Sequence, residues 1–376
     1  MKYAVVGFGT AGYHAVKKIR ELDKEGCIDV YSNTGRAPYN PMLTTYYAFG
    51  KLEYEGMFPF GDLEQIQKEV DFNLRREQVI KVHGSEHLVE TENGSEQYDR
   101  ILIATGARAF APPVKGLEPE DAFLMRTVED ALRFKDRLKK NDIKHAVVIG
   151  ASMAGIKVVE VLHKYGIETW LLDLASYIFP LAAYKEVAKE IEKRVEAQGV
   201  HLMFGVTIDH MEQENGEKTA VLTDGSRIPA DIVGLCIGTR AITETVQGEV
   251  EIGRGIVVDD HMRTSVPGIY AAGDCCEGNN LESGQNQIIG LWANANHQGE
   301  TAGINMAGGD MAYKGNILHN ITHFMNMDFI GFGDNRMQGE VLEYGSLSED
   351  LYIRLVLDGK RIVGANILDN YRVSGI

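Results

Sequence analysis

The chain has 376 residues, 44% of them hydrophobic, and a formal charge of −16 at neutral pH. That length holds two or three domains with real cores, the charge disfavours nucleic acid or an anionic membrane as a partner surface, and no apolar run approaches the roughly 18–20 residues a spanning helix needs. Met1-Lys2 passes straight into a strand with no room for a signal peptide, and the four cysteines (Cys27, Cys236, Cys275, Cys276) show neither C-x-x-C nor metal-ligand spacing, so the expectation is a cytoplasmic protein with reduced thiols and no metal centre.

The first element is a strand, Ala4-Val5-Val6, that runs into Gly7-x-Gly9-x-x-Gly12 with Thr10 and Ala11 between the glycines, after which Ala15, Val16, Ile19 and Leu22 recur at helical spacing. Strand, tight turn and helix in that order form a dinucleotide loop: the glycines turn the chain, admit a pyrophosphate to the backbone and bring helix close to strand. The helix start offers free N–H groups and partial positive charge to the phosphates. Ile28, Val30 and Tyr31 suit a second strand ending at Ser32-Asn33. An acidic side chain usually stands there to hold the ribose, and its absence leaves Ser32 or Asn33 to do so with neutral hydrogen bonds. Residues 36–47, which include Pro41 and Thr45, read as a loop that either caps the sheet or lines the cofactor. Residues 52–71 are mixed and acidic with a loop at 58–61. Val79 to Thr91 alternates as a hairpin or meander with a turn at Glu92-Asn93-Gly94. Ile101-Leu102-Ile103 is a buried strand that ends in the small-residue turn Ala104-Thr105-Gly106. Pro112, Pro113 and Gly116 mark a linker, with a boundary near residue 110 and an amphipathic helix over 127–140.

The opening pattern then returns. Ala146-Val147-Val148-Ile149 leads into Gly150-x-Ser152-x-x-Gly155 and a helix through Val158, Val159 and Leu162, and the next strand ends at Asp173. Ser152 in place of the middle glycine is tolerable where the backbone needs no positive φ. A carboxylate at Asp173 would accept the ribose hydroxyls and repel a 2′-phosphate, which favours NADH over NADPH. A helix over 184–198, a strand over 200–204 and an alternating pair around Thr223-Asp224-Gly225 follow, and a strand ending at Gly238-Thr239 matches the earlier strand and turn. Thr264 to Asp274 reads as a strand that ends in Gly273-Asp274, where an aspartate can hold a ribityl hydroxyl. The module therefore occurs twice, the second copy inserted in the first. Residues 291–306 have helical spacing, and the helix start at Trp292 is another anion-attracting end. Strands are expected at Ile317-Leu318, Ile321-Thr322, 328–332, 352–357 and 362–367, with Asp358-Gly359 a hairpin turn.

The expected fold is α/β: two Rossmann-like dinucleotide-binding domains, the second inserted in the first, over 1–110 with 242–310 and over 111–241, plus a small α+β C-terminal domain over 311–376. These motifs, in this order over nearly the whole chain, resemble the two-dinucleotide-domain flavoproteins of the pyridine nucleotide-disulfide oxidoreductase superfamily. Pro38-Tyr39-Asn40-Pro41-Met42-Leu43 and Trp292-Ala293-Asn294-Ala295-Asn296-His297-Gln298-Gly299 look most like its branch without a redox disulfide, the ferredoxin and rubredoxin reductases and the flavin part of NADH-dependent nitrite reductases. The resemblance implies FAD at Gly7, Gly9, Thr10, Ala11, Gly12, Ser32, Asn33, Pro41, Thr45, Val79, Ala104, Thr105, Gly106, Gly273, Asp274 and Trp292, with Trp292 either at the ring edge or in core packing. It implies NADH at Gly150, Ser152, Gly155, Asp173 and Gly238.

Two departures stand out. No cysteine lies in residues 36–47, where relatives keep a disulfide or a reactive thiol, so thiol-based reduction of disulfide or peroxide is disfavoured. Relatives often carry a lysine at the position of Tyr46 and a glutamate at that of Lys157, paired beside the flavin. Losing one member of a buried pair costs about 3–5 kcal/mol, and here both are changed. Tyr46 is then expected on the flavin face where substrate or nicotinamide sits, and Lys157 either pairs with an acid such as Glu160 or points to solvent. Hydride passes from NADH to FAD and electrons pass onward to a small redox protein or partner subunit. The alternatives are a small organic acceptor or oxygen, or a non-catalytic flavin-binding redox sensor or scaffold. His297, His319 and His323 are acid-base candidates by residue type only.

Overall fold

The structure, a computed structural model, describes residues 1–348 and 351–369. Its α-helices are α1 (Thr10–Leu22), α2 (Leu43–Phe49), α3 (Leu63–Glu69), α4 (Val128–Leu138), α5 (Met153–Lys164), α6 (Lys185–Glu196) and α7 (Trp292–Met306). The chain divides into two compact units. The first comprises Met1–Asn40, Tyr54–Arg108 and Arg240–Ile317, and the second Pro41–Glu53, Ala109–Thr239 and the residues from Leu318 onward.

In the first unit, a parallel five-stranded sheet runs in the order Ile269–Ala271, Arg100–Ile103, Lys2–Val6, Cys27–Tyr31, Asn73–Arg75. The central strand is buried on both faces, with Tyr3, Ala4 and Val5 fully covered, as a parallel strand between helical layers must be. Helices α1 and α7 approach closely because α7 carries glycines at the contact: a Cβ on Gly299 would lie 2.3 Å from the Ala11 carbonyl oxygen, and one on Gly303 2.5 Å from that of Ala15. Strands Val79–His83, Leu88–Thr91 and Gly94–Gln97 form a separate antiparallel sheet, so of the two expectations the structure shows the meander. Helix α3 was not expected from the sequence, although Asp62 and Gln65 form a reciprocal capping box at its start.

In the second unit, the parallel sheet runs His201–Phe204, Glu168–Asp173, His145–Ile149, Ile232–Leu235, Ala122–Phe123. The residues expected as a loop over 36–47 end instead in helix α2. Pro41 precedes it and Gly50 stops it at φ +83°, where its N–H caps the Tyr46 and Tyr47 carbonyls. A glycine in the left-handed conformation just past the last turn is a common helix stop. The tail, expected to be α+β, is all strand among the described residues: an antiparallel sheet in the order His319–Phe324, Met327–Gly333, Arg361–Leu368, Tyr352–Asp358, Glu340–Tyr344. Ile317 and Leu318 precede the first strand, and Glu340–Tyr344 had no expected counterpart because its exposed edge position imposes no apolar alternation. Phe324 and Phe329 of this sheet pack their rings 5.4 Å from Phe179, which places the tail in the core of the second unit. Among the described residues no helix is long and apolar enough to cross a membrane.

One buried polar group locks the first sheet. Asp29 is fully covered and accepts hydrogen bonds from Tyr98 (2.9 Å), Asn73 (2.9 Å) and Arg75 (3.3 Å), while the Tyr31 and Tyr98 hydroxyls lie 2.6 Å apart. Burial pushes the Asp29 carboxyl up, but these donors together outweigh it and hold it below the usual carboxylate range. A depressed carboxylate adds stability above its unfolded value and loses it as pH falls through the folded value. Asp29→Asn is therefore expected to cost about 1.5–3 kcal/mol at neutral pH, the range for hydrogen bonds to a charged group, with the difference from the parent shrinking below about pH 4. Urea unfolding of both proteins across that pH range measures it.

Candidate functional site

The first loop sits where the central strand of the first sheet ends. Gly7 has φ +105°, and a Cβ there would lie 2.2 Å from the Ala104 carbonyl oxygen; a Cβ on Gly12 would lie 2.2 Å from that of Gly7. Both glycines are required by the packing of the protein itself. Gly9 differs, since a Cβ there meets nothing within 4 Å. Gly9 is also the N-cap of α1 and makes no side-chain cap, which leaves the Thr10, Ala11 and Gly12 amides without a capping side chain. The space beside Gly9 and the uncapped helix end form a cradle of the kind a pyrophosphate fills. Ala104 is buried, Thr105 donates to the Ile242 carbonyl at 2.6 Å, and Gly106 (φ +71°) has open space where a Cβ would stand.

Around that cradle, Thr10 bonds to Asn296, and the Gly273 amide donates to Gln298 at 2.9 Å. Asp274 follows Gly273, with its carboxylate 4.0 Å from a Cβ built on Gly290. Helix α7 begins at Trp292 with no side-chain cap. The Trp292 ring stacks on Phe60 (5.6 Å, 14°), and Phe60 on Tyr13 (4.3 Å, 24°). The Trp292 indole N–H is buried with no partner among the described residues, and so is the Gln298 amide nitrogen. Two uncapped helix starts, orphaned buried donors and a Cβ-free cradle fit a large ligand bearing phosphates and acceptor atoms, as FAD does. At the second strand, Ser32 pairs through its amide with the Arg75 carbonyl and lies 3.3 Å from the Thr34 hydroxyl, and Asn33 donates to Gln78 at 2.8 Å. Val79 is buried in the neighbouring small sheet. Pro41 and Thr45 belong to the second unit, where Thr45 donates to the Met42 carbonyl.

The second loop repeats the first with one change among its three glycine positions. Gly150 (φ +103°) would bring a Cβ 2.3 Å from the Cys236 carbonyl oxygen, and Gly155 would bring one 1.9 Å from that of Gly150. Ser152 stands at φ −94°, an ordinary conformation for a side-chain residue. Its hydroxyl accepts from the Gly155 amide at 3.2 Å and donates to the Cys236 carbonyl at 3.0 Å. The helix that Gly9 leaves uncapped in the first loop is thus capped in the second by the protein's own serine. Asp173 ends its strand with one oxygen on the Ala151 amide (2.7 Å) and the other on the Ala175 amide (2.8 Å), so the carboxylate expected at the ribose also braces the loop. Gly238, at φ +101°, has open space where a Cβ would stand.

Tyr46 and Lys157 come together in this second unit. Lys157 is 3% exposed, donates to Glu160 one turn on, and stands 4.6 Å from the Tyr46 ring centroid. Burial pushes its ammonium down, and Glu160 pulls it back up. Burial pushes the Tyr46 hydroxyl up, and Glu160 adds to that. Lys51, absent from the sequence reading, bonds to Glu160 at 3.3 Å. Of the candidate histidines, His297 is exposed and His323 pairs with Asp328. Cys236, Cys275 and Cys276 are buried free thiols and Cys27 is an exposed one.

Two dinucleotide loops on parallel sheets, the first sheet completed only after the second, define a two-nucleotide oxidoreductase fold. The model of the pyridine nucleotide-disulphide oxidoreductase family matches residues 1–299. The chain belongs to that family and is an FAD-dependent enzyme that oxidises NADH. It is 28% identical over 348 residues to the epsilon subunit of the NADH-dependent phenylglyoxylate dehydrogenase of Aromatoleum evansii, covering 91% of this chain and 82% of that one. It is 26% identical to the large subunit of the NADH nitrite reductase of Escherichia coli K12, covering 97% of this chain and 43% of that one. The NADH-bound water-forming NADH oxidase of Lactobacillus brevis shares the fold, with a TM-score of 0.91 at 24% identity over 100% of this chain and 88% of that one.

The two kinds of glycine separate in a test. Gly12→Ala is expected to lose about 1–3 kcal/mol of apoprotein stability by overpacking, whereas Gly9→Ala leaves apoprotein stability within about 1 kcal/mol of the parent and loses FAD affinity. Thermal unfolding without FAD and fluorescence titration with FAD read the two effects separately.

Proposed function

We propose that this chain takes hydride from NADH and hands electrons to a separate redox protein or partner subunit. The observation that carries this reading is where its thiols lie: none stands in the segment from Arg36 to Tyr47, and three of the four are buried. A protein-based disulfide is therefore not offered as the next carrier, and the electrons must leave the chain. The epsilon subunit and the nitrite reductase large subunit noted above are, by name, parts of larger enzymes, which supports an acceptor of that kind. The four free thiols fit a reducing compartment, and the cytoplasm is the proposed location.

In this reading the first loop holds FAD through Gly7, Gly9, Gly12, Thr105, Gly106, Gly273 and Asp274, with Trp292 donating from the start of α7. FAD, when bound, supplies a two-electron acceptor that can release electrons singly. The second loop holds NADH through Gly150, Ser152, Gly155 and Gly238, with Asp173 at the ribose and Tyr46 on the nicotinamide side. The uncapped start of α1 suits a ligand that stays, because its amides have no protein partner to return to. The start of α5, already capped by Ser152, suits one that comes and goes.

Stopped-flow mixing with NADH is expected to bleach the flavin within seconds, and steady turnover to require an added redox protein. Equal turnover with oxygen or a quinone alone would assign the electrons to a small acceptor, and no bleaching within minutes would leave a binding protein. Asp173→Asn keeps an acceptor for the Ala151 amide but removes the charge, so preference for NADH over NADPH should fall roughly tenfold, about 1.4 kcal/mol. The ratio of the two reduction rates checks it.

A further inference from the structure

Helix α2 is seven residues long, too short to persist without tertiary support. Its C-terminal end is met by lysines from two other helices. Lys135 of α4 donates to the Tyr47 carbonyl at 3.1 Å with its ammonium 3.8 Å from the Tyr47 ring centroid, and Lys164 of α5 donates to the Phe49 carbonyl with its ammonium 4.4 Å from the Phe49 ring. Cations at the negative end of a helix are favourable. They hold the backbone of α2 and leave the Tyr46 side chain to a different set of groups.

That set is an ion cluster in which Lys157 and Glu160 are buried and Lys51 is not. The Lys157 ammonium donates to Glu160 and to the His323 carbonyl, the latter at 2.7 Å, and its remaining face is turned to the Tyr46 ring. Glu160, 7% exposed, gives one oxygen to Lys157 and with the other accepts from both Lys51 (3.3 Å) and the Met325 amide (3.2 Å). The Lys51 ammonium is 5.6 Å from the same Tyr46 ring. Two ammoniums share one carboxylate, so the cluster carries a net positive charge; the Tyr46 face lies against Lys157, while Lys51, at an exposed position, is nearer the Phe49 ring (4.4 Å) than the Tyr46 ring. Without the carboxylate, a desolvated ammonium facing a carbonyl and a ring would shed its proton and lose its hold on the ring.

We propose that Glu160 and Lys51 are positioning residues that act through Lys157: the shared carboxylate keeps the Lys157 ammonium against the Tyr46 ring and so fixes Tyr46 beside the second turn of the helix that begins at the Gly150–Gly155 loop. The inference rests on the assignment of that loop to NADH. Its effect falls on the limiting rate of flavin reduction and not on NADH affinity, because it sets the place of one side chain and leaves the loop untouched.

The experiment uses FAD-loaded protein, and the parent is mixed with NADH first. Its bleaching decides the NADH assignment alone, before any variant is compared. With that in hand, Glu160→Gln is expected to lower the limiting rate about tenfold, the size of an ordinary coupling energy, with the apparent Kd for NADH within about threefold of the parent. Lys51→Met should lower the rate in the same sense, and Lys51→Arg, which keeps the charge, should restore it. In a Tyr46→Leu background Glu160→Gln should add no further loss. An unchanged limiting rate in Glu160→Gln, an effect confined to Kd, or losses that simply add in the double variant would each overturn the proposal. Should Glu160→Gln not fold, the Lys51 pair, at an exposed position, decides the same question through the same rescue.

Discussion

Where each strand meets its helix, a methyl group in place of one hydrogen would collide with a backbone oxygen: 2.2 Å from Ala104 at Gly7, 2.3 Å from Cys236 at Gly150. This crossing of two backbones is what the rest of each unit is built around. It pins the turn that follows the central strand, aims the start of the helix along the sheet edge, and brings the next parallel strand's turn alongside. Because neither crossing tolerates a side chain, the two loops keep the same geometry although only one residue, Gly9 against Ser152, separates their middle positions. That single difference is chemical. One helix start has no side-chain cap on its amides, and the other spends one of them on its own serine.

The charge of the chain is distributed with similar economy. A protein of −16 gathers Lys51, Lys135, Lys157 and Lys164 on one short helix and its neighbours. Aromatic rings and helix carbonyls face these ammoniums, Glu160 pairs with Lys157 and Lys51, and Glu53 lies near enough to act on Lys135. The cluster is therefore stable without being neutral, a condition that burial permits only when every donor has a directed partner.

Much of this was legible in the residues because the signals were local. The two glycine loops, the strand ends at Thr105-Gly106 and Gly273-Asp274, and the insertion of one module in the other all follow from patterns a few residues wide. The pairing of Lys157 with Glu160 was open to view as a one-turn spacing. What escaped were features set by distant chain. Lys51 and Glu160 are far apart in sequence, and nothing near either announces the other. Phe60 read as loop, yet it is the stacking partner of Trp292. Helix α2 was hidden by its hydroxyls and by the prolines that precede it, although Pro41 and Gly50 bracket it. The edge strand Glu340–Tyr344 had no alternation to find because neither of its faces is covered. Asp173 was read correctly as a carboxylate at a strand end, but its work in bracing the Ala151 amide depends on a turn whose geometry only the folded loop supplies.

The partition of the chain also bears on how the protein comes into being. Both units are discontinuous, each built from three separated stretches. As the polypeptide leaves the ribosome, the first sheet must wait for Ile269–Ala271 to add its last strand, and α1 for the glycines of α7 at residues 299 and 303. The second unit cannot close its core until Phe324 and Phe329 arrive. Two nascent cores are thus exposed at the same time for most of synthesis, and long-range closures of this kind are slow and prone to aggregation.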